Sequence, residues 1–222
     1  MGMVYPDNDS LCDAVASRRL YLGIPSFDAA VIDAMRRIDR GKFAPPGERD
    51  AYADAPVPIG AGQTCSQPSM VAAMATMLEL APGMRVLEVG AGCGYSAAVT
   101  ASLISPGGSL FAVEFLPELA ETARANLAAF SFGADIEVIT GDGSAGLAAR
   151  APFDRIYFAA GAGFGFDESP LLEQLKPGGV LLYPQSRGDM FRVKKNPDGS
   201  LSRGQAGGVV FVELKGKNSG GF

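Results

Sequence analysis

The stretch VLEVGAGCGYSAAV (86–99) places three glycines within five residues, between an apolar run and a segment of helical character. We predict a buried β-strand that runs into Gly90, Gly92 and Gly94 and then into a helix. Glycine lets the main chain turn tightly and approach a ligand without a Cβ clash. The first amides of such a helix have no intrahelical partner and can face that ligand. An ordinary strand-to-helix turn rarely needs three glycines, so the loop indicates a cofactor site.

The spacing of these glycines argues against a dinucleotide. A G-x-G-x-x-G fingerprint would put its third glycine at Tyr95, whereas this chain reads G-x-G-x-G. Glu88 stands two residues before the loop, where a carboxylate is poorly matched to a pyrophosphate. A carboxylate suits a ligand with an ammonium group, and S-adenosylmethionine has one together with a sulfonium and no phosphate. We therefore predict S-adenosylmethionine as the cofactor, with Glu88 and Tyr95 in its site.

Two further acidic residues lie at or just after the ends of predicted strands. Glu114 lies twenty residues after Gly94, where a carboxylate can accept hydrogen bonds from both ribose hydroxyls. Asp142, with Gly143 in TGDGSAG (140–146), is placed to accept from the adenine amino group. Ligands bind at the carboxyl edge of open α/β sheets, which is where both residues are expected. The alternatives are a solvated strand end for Glu114 and a plain Asp-Gly turn for Asp142.

After residue 83, β-rich apolar runs alternate with helical patterns, which predicts an α/β fold with a parallel sheet between helices. The five runs are 85–89, 109–115, 136–141, 154–160 and 179–184, and the helical patterns between them include 169–179. The segments 190–195 and 207–214 flank the turn NPDGS (196–200) and predict an antiparallel hairpin at the sheet edge.

The first 80 residues predict helices. Phe27, Val31, Met35 and Ile38 are spaced to line one helical face, with Ser26 as its cap. A second helical face, formed by methionines, follows the first and is expected to fill the core.

Composition limits the class of protein. The chain has 222 residues, of which 47% are hydrophobic and 19% charged, and its net charge is −5. The acidic balance argues against nucleic-acid binding, and no apolar run approaches the ~18 residues of a membrane span. The chain starts without the basic and apolar regions of a signal peptide, so we expect a cytoplasmic protein. Three scattered cysteines and the lack of histidine predict no metal site.

Four motifs together resemble the protein-L-isoaspartate (D-aspartate) O-methyltransferase family. They are VLEVGAGCGYSAAV, GDG (141–143), LLEQLKPGG (171–179) and AYADAPVPIGAGQTCSQPSMVAAM (51–74), and the resemblance runs from about residue 20 to residue 214. The glycine loop alone indicates a class I S-adenosylmethionine-dependent methyltransferase, while PIGAGQTCSQP (58–68) is the specific signature. The resemblance implies a Rossmann-like doubly wound sheet with a reversed C-terminal strand and added N-terminal helices.

The resemblance also implies the reaction and the substrate side of the site. The family esterifies the α-carboxyl of L-isoaspartyl residues in damaged proteins, and collapse of the ester to a succinimide permits repair. Ser66 matches the family's active-site serine, which would orient the substrate carboxylate through its hydroxyl. Gly62, Gln63, Thr64 and Gln67 match the surrounding substrate-binding motif. A carboxylate is already a nucleophile, so positioning suffices and a protein without histidine can perform the reaction.

The substrate half departs from the family pattern more than the cofactor half does. DRGKF (39–43) stands where the family tends to carry Pro-Arg-His-x-Phe, Ser69 where an aromatic residue is common, and Glu213 where Pro is favoured. Two alternatives therefore stay open. One is a divergent carboxyl methyltransferase that acts on another peptide or small carboxylate, and the other is a non-catalytic S-adenosylmethionine-binding homologue.

We expect one compact unit made of an N-terminal helical extension with the active-site segment (1–80), a methyltransferase domain (81–216) and a flexible tail (217–222). We expect a monomer that acts on isoaspartyl-containing proteins or peptides and binds neither nucleic acid nor membranes. The segment GAGFGFDESP (161–170) follows the fourth predicted strand of the sheet. Its Phe164 and Phe166 would form either a mobile lid over the site or an anchor of the loop to the core.

Overall fold

The computed structural model describes residues 3–221, so the first two residues of segment 1–80 and the last residue of the predicted tail lie outside it. The helices are α1 (Asn8–Ser17), α2 (Ala29–Arg37), α3 (Pro68–Leu78), α4 (Tyr95–Ile104), α5 (Pro117–Leu127) and α6 (Ser169–Glu173). The strands are β1 (Val57–Gly60), β2 (Gln63–Cys65), β3 (Arg85–Val89), β4 (Ser109–Glu114), β5 (Asp135–Thr140), β6 (Phe153–Phe158), β7 (Leu175–Pro184), β8 (Arg187–Lys195) and β9 (Leu201–Val210). Within the described range no helix is long and apolar enough to cross a membrane.

The large sheet has seven strands in the order β5-β4-β3-β6-β7-β8-β9. Strands β3 to β7 are parallel, β8 runs antiparallel to β7, and β9 runs antiparallel to β8. The predicted doubly wound sheet with a reversed C-terminal strand is therefore confirmed. The strand order changes direction between β3 and β6, and open α/β sheets bind ligands outside the carboxyl ends of the strands at such a point.

Side chains of β3 alternate between two hydrophobic cores, one on each face of the sheet. Val86 packs in the core that includes helices α1 to α4. Leu87 packs in the opposite core with Phe111, Phe153 and Leu171. The N-terminal helices thus share a face of the sheet with α4, the helix that follows the glycine loop.

Helix α2 buries the face that the sequence predicts, but its N-terminal cap is a different residue from the predicted one. Val31 and Met35 are buried in α2, and the methionines of α3 that face the first core include the buried Met70 and Met74. The cap of α2 is Asp28 instead of Ser26, because the Asp28 carboxylate accepts a hydrogen bond from the amide of Ala30 at 2.8 Å. An aspartate two residues further along satisfies an amide of the first turn directly.

The C-terminal third differs most from its predicted element bounds. Helix α6 ends at Glu173 and β7 begins at Leu175, so the helix is shorter than the helical pattern predicted over 169–179. Strand β9 covers 201–210 instead of 207–214. Residues 211–214 leave the sheet edge and pair with the loop after β6, where Gly161 exchanges hydrogen bonds with Val212 and Leu214 at 2.8 Å each.

Residues 217–221, for which the sequence predicts a flexible tail, are hydrogen-bonded to loops of the domain. The amide of Lys217 donates to the Asp142 carboxylate at 2.9 Å. The Asn218 side chain donates to the carbonyl of Ser144 at 3.1 Å and to that of Asp167 at 2.8 Å. These described residues therefore close over the loop after β5 instead of extending away from it.

Candidate active site

A cavity lies in the crevice outside the ends of β3 and β6. Loops after β3, β4, β5 and β6 line it together with the segment after β9. Four predicted cofactor residues are in this lining, and so are two predicted substrate residues: Gly90, Gly92, Glu114, Gly143, Gln63 and Thr64. The sequence thus identified residues from four separate segments that the fold brings to one place.

The three glycines of the loop are required for different structural purposes. Gly90 and Gly92 have φ values of 93° and 56°, and both line the cavity. Gly94 stands outside that lining, and a Cβ on it would lie 3.3 Å from Cγ of Leu127 and 3.4 Å from Cα of Ala123. Gly94 therefore lets α4 begin close against α5, which is a packing role instead of the cofactor contact expected of it.

Gly143 gives the cavity wall its close approach to the sheet. A Cβ at this position would lie 3.0 Å from Cγ1 of Val89 and 3.1 Å from Cβ of Val113. Because both valines also line the cavity, the loop after β5 can fit beside them only with glycine here.

Glu114 contributes a buried carboxylate to the lining. Its oxygens accept hydrogen bonds from the amides of Gly92 at 2.8 Å and Leu116 at 3.0 Å. A carboxylate oxygen has two lone-pair positions, so each oxygen can still accept from a ligand hydroxyl.

Glu88 is fully buried, and it stands outside the cavity lining on the side of α4. Neither carboxylate oxygen has a hydrogen-bond partner among the described residues. The nearby hydroxyl of Tyr157 lies instead within hydrogen-bond distance of Ser96, at 3.2 Å, and of Thr100, at 3.0 Å. Burial raises the pKa of Glu88 to about 8, the nearby hydroxyls of Tyr157 and Ser96 act against this shift, and the charge of Glu114 adds to it. Glu88 thus lies one layer behind the cavity, where burial favours the protonated form of its carboxyl.

Asp142 is turned away from the cavity. Its carboxylate accepts hydrogen bonds from the amide and hydroxyl of Ser144, at 2.9 and 2.7 Å, and from the amide of Lys217 at 2.9 Å. Burial alone would raise the pKa of Asp142, but these hydrogen bonds lower it below its usual value. In this arrangement Asp142 organises the loop after β5, which the alternative of a turn residue describes better than an adenine contact.

A second cavity of about 250 Å³ adjoins the first. Ser66 and Gln67 line it, and Thr64, Ala159 and Val212 line both cavities. The rest of its lining is apolar and consists of Pro56, Met70, Val210 and Phe211. The predicted catalytic serine thus faces a cavity next to the cofactor cavity. Ser66 and Tyr95 also line a third, smaller cavity.

The signature stretch forms a β-hairpin followed by α3. Gly62 has a φ of 72° and lies in the turn between β1 and β2, exposed and outside both linings, so it shapes the hairpin. Asp54, and not Ser66, satisfies the start of α3, because its carboxylate accepts from the amide of Ser69 at 2.8 Å. Ser66 therefore does not cap α3.

Phe164 and Phe166 lie outside both cavity linings. Phe166 packs on Phe158 and Tyr183, with ring centroids 5.5 and 5.1 Å away. Phe164 is 79% exposed, and its main chain pairs with Gly221. The arrangement favours the anchor alternative for Phe166 and gives Phe164 no position over the site.

The sequence reasoning missed the segment 212–215 as part of the cofactor cavity. Glu213 and Lys215 line it because residues 211–214 cross to the loop after β6. The only sequence signal was that Glu213 stands where the resemblance favours proline, which marked an unusual position without placing it.

Comparison with known proteins agrees with this geometry. The family model for protein-L-isoaspartate(D-aspartate) O-methyltransferase matches residues 23–219. The chain belongs to this family. A protein-L-isoaspartate O-methyltransferase of Methanopyrus kandleri is 47% identical over 191 residues, which are 84% of each chain. Protein-L-isoaspartate O-methyltransferase 2 of Archaeoglobus fulgidus is 45% identical over 192 residues, covering 84% of this chain and 85% of the relative.

Solved structures support the fold. A protein-L-isoaspartate O-methyltransferase superposes with a TM-score of 0.76 at 27% identity, covering 87% of this chain and 63% of that chain. A Plasmodium falciparum protein described as a putative member of the family, in complex with S-adenosyl-L-homocysteine, gives a TM-score of 0.78 at 23% identity, covering 95% and 99%. The second likeness concerns the fold alone.

Family membership makes the chain an S-adenosylmethionine-dependent methyltransferase of the protein-repair type. The residues of the first cavity fit that cofactor. Glu114 brings a buried negative charge to a cationic ligand, and the glycine loop leaves room for it. Val89, Val113 and Leu116 add the apolar surface that an adenine ring requires.

Proposed function

We propose that this chain transfers a methyl group to the α-carboxyl of L-isoaspartyl residues, with the carboxylate bound in the second cavity against Ser66. One observation carries the proposal. Among the described residues that line this cavity, none has an ionisable side chain. A site that supplies no base suits an acceptor that is already an anion, whereas an amine or a phenol would more often need its proton removed.

The cofactor supplies an electrophilic methyl group on a sulfonium. The chain contributes position and charge. Glu114 is placed to hold the ribose, and the glycine loop is placed to hold the part of the cofactor next to it. Thr64, Ala159 and Val212 line both cavities, so the two reacting atoms would face each other beside these residues.

Ser66 and Gln67 are proposed to orient the substrate. The Ser66 hydroxyl can donate to one carboxylate oxygen, which leaves the other free to face the methyl group. The Gln67 side chain already donates to the carbonyl of Asp54 at 3.0 Å, so it steadies the wall and offers its oxygen to a peptide amide. Holding the nucleophile in line at near-attack distance is the main contribution that such a site can make.

The test is transfer of a labelled methyl group to a pair of peptides that differ only in isoaspartyl against aspartyl linkage. We expect a base-labile methyl ester on the isoaspartyl peptide and almost none on its partner. Ester formation on other carboxylates but not on this peptide would favour a divergent carboxyl methyltransferase. Binding of S-adenosylhomocysteine without transfer to any carboxylate would indicate a non-catalytic homologue. The predictions of a monomer and of a cytoplasmic location remain predictions.

A further inference from the structure

Arg40 is the largest fully buried side chain described in this protein. Within residues 3–221 no acidic side chain forms an ion pair with it. A buried charge without a partner is costly unless the structure supplies hydrogen bonds. The contacts of the Arg40 guanidinium should therefore explain why this charge is buried.

The guanidinium donates to main-chain carbonyls only. Nη1 donates to the carbonyl of Ala51. Nη2 lies near three carbonyls, those of Ala55 at 3.0 Å, Ser66 at 3.2 Å and Cys65 at 3.4 Å. Arginine presents several donors in a rigid planar fork, so one side chain can fix several oxygens at once. Arg40 thus ties the loop 51–55 to the end of the β2 segment that carries the serine.

Arg40 also reaches the glycine-loop side of the site. Its guanidinium carbon lies 5.8 Å from the ring centroid of Tyr95, the first residue of α4. Its own amide donates to the Asn8 side chain of α1 at 3.2 Å. One buried residue therefore connects the N-terminal extension, the active-site hairpin and the start of the helix behind the cofactor loop.

We propose that Arg40 is a positioning residue for methyl transfer, which sets the place of Ser66 relative to the cofactor through the carbonyls of Cys65 and Ser66. The proposal rests on the proposed role of Ser66. It goes beyond that role because Arg40 touches neither cavity. Its effect on turnover must pass through the hairpin.

The charge of Arg40 has a second consequence. Transfer of a methyl cation from a sulfonium to a carboxylate neutralises both charges, so a nearby positive charge stabilises the bound carboxylate more than the transition state. Loss of the charge should raise KM, and loss of the fork should lower kcat. Arg40→Lys keeps the charge and removes the fork, whereas Arg40→Gln removes both.

Arg155 offers a matched control for a purely structural role. It is also buried, and its guanidinium donates to the carbonyls of Leu78, Glu79 at 3.1 Å and Asp154 at 2.9 Å. It lies near the amino end of β6, away from both cavity linings. Arg155→Lys should therefore lower stability without a specific effect on the hairpin.

The experiment combines two measurements. Hydrogen exchange followed by mass spectrometry compares segment 57–67 in Arg40→Lys and Arg155→Lys, and it needs no substrate. A double-mutant cycle measures kcat for methyl transfer in Arg40→Lys, Ser66→Ala and their combination. We expect faster exchange of the segment in Arg40→Lys only. We expect kcat about 10- to 100-fold lower in that variant but less than about twofold further reduction when Ser66 is already alanine. Arg40→Gln should in addition raise KM.

Unchanged exchange of the hairpin, or kcat losses that multiply in the double variant, would overturn the proposal. If neither Arg40 variant folds while Arg155→Lys does, Arg40 is a scaffold residue and the proposal is wrong. If the parent enzyme transfers no methyl group to the isoaspartyl peptide, the proposed function fails. The exchange data still decide whether Arg40 holds the hairpin.

Discussion

The carboxylate of Glu114 accepts a hydrogen bond from the main-chain amide of Gly92, with 2.8 Å between Oε2 and the nitrogen. One side chain thereby joins the ends of β3 and β4 at the edge of the sheet where the cofactor cavity lies. The bond fixes the glycine loop before any ligand arrives, and a preordered loop loses less entropy on binding.

Glu114→Gln should weaken the binding of S-adenosylhomocysteine. The amide nitrogen that replaces one carboxylate oxygen cannot accept a hydrogen bond. Glutamine therefore cannot accept from both main-chain amides and from the ribose hydroxyls as well. Loss of one hydrogen bond to a charged acceptor costs about 1.5–3 kcal/mol, or about 10- to 150-fold in Kd. Calorimetric titration of the folded variant measures this. Glu213→Gln is the control, because it makes the same change at an exposed position of the same cavity, and its Kd should stay within about threefold. An unchanged Kd for Glu114→Gln would exclude the ribose role.

Ser66→Ala should reduce methyl transfer while leaving cofactor binding intact. The hydroxyl faces the second cavity and does not cap α3, so its removal affects the orientation of the substrate. We expect kcat/KM to fall about 10- to 100-fold, the cost of one hydrogen bond to a charged group. Ser69→Ala is the matched control, since it removes a hydroxyl that bonds to Asp54 and should lower stability but not turnover. A Ser66→Ala variant with parental kinetics would remove the serine from the mechanism.

The strand ends and their acidic residues could be predicted because they depend on local pattern. Apolar runs mark the parallel strands, and an acid or a glycine at the end of such a run or shortly after it must lie at the carboxyl edge. Glu114 and Gly143 follow this rule and line the cavity. Asp142 follows it too, but its side chain finds closer donors in Ser144 and Lys217.

The remaining differences come from contacts between distant segments. The pairing of Gly161 with residues 212–214 decides where β9 ends, and periodicity alone does not reveal such a partner. The burial of Arg40 depends on carbonyls up to 26 residues away. Gly94 belongs to the predicted cofactor motif, but the close approach of α5 explains why a glycine is needed at this position. Local sequence patterns therefore predict where a side chain lies along a strand or loop, and tertiary packing decides which way that side chain points.

Glu88 should give the stability of the protein a specific pH dependence. Burial raises its pKa to about 8 from an ordinary 4.5, so between these pH values the folded state holds a proton that the unfolded state has lost. The free energy of unfolding of the parent therefore falls as pH rises through this window, by up to about 1.4 kcal/mol per pH unit from this residue. Glu88→Gln stays neutral and lacks this contribution.

Urea unfolding of both proteins at pH 5 to 9 measures the effect. The stability of Glu88→Gln minus that of the parent should rise from pH 5 to about pH 8 and then level off. A difference that stays constant with pH would mean that Glu88 is ionised in the folded protein and that a partner compensates its charge.

Phe164 and Phe166 should respond differently to truncation. Phe166 contacts the rings of Phe158 and Tyr183, so Phe166→Ala removes aromatic packing from the second core. Because the ring is only partly buried, we expect a loss of about 2 kcal/mol, which lowers Tm by roughly 4–8 °C in a domain of this size. Phe164 is 79% exposed, and Phe164→Ala should leave Tm nearly unchanged.

Thermal unfolding without ligand and methyl-transfer kinetics well below Tm distinguish an anchor from a lid. An anchor variant loses Tm and keeps KM and kcat, as we expect for Phe166→Ala. A variant that keeps its Tm but raises KM or lowers kcat would show instead that the loop closes over the site.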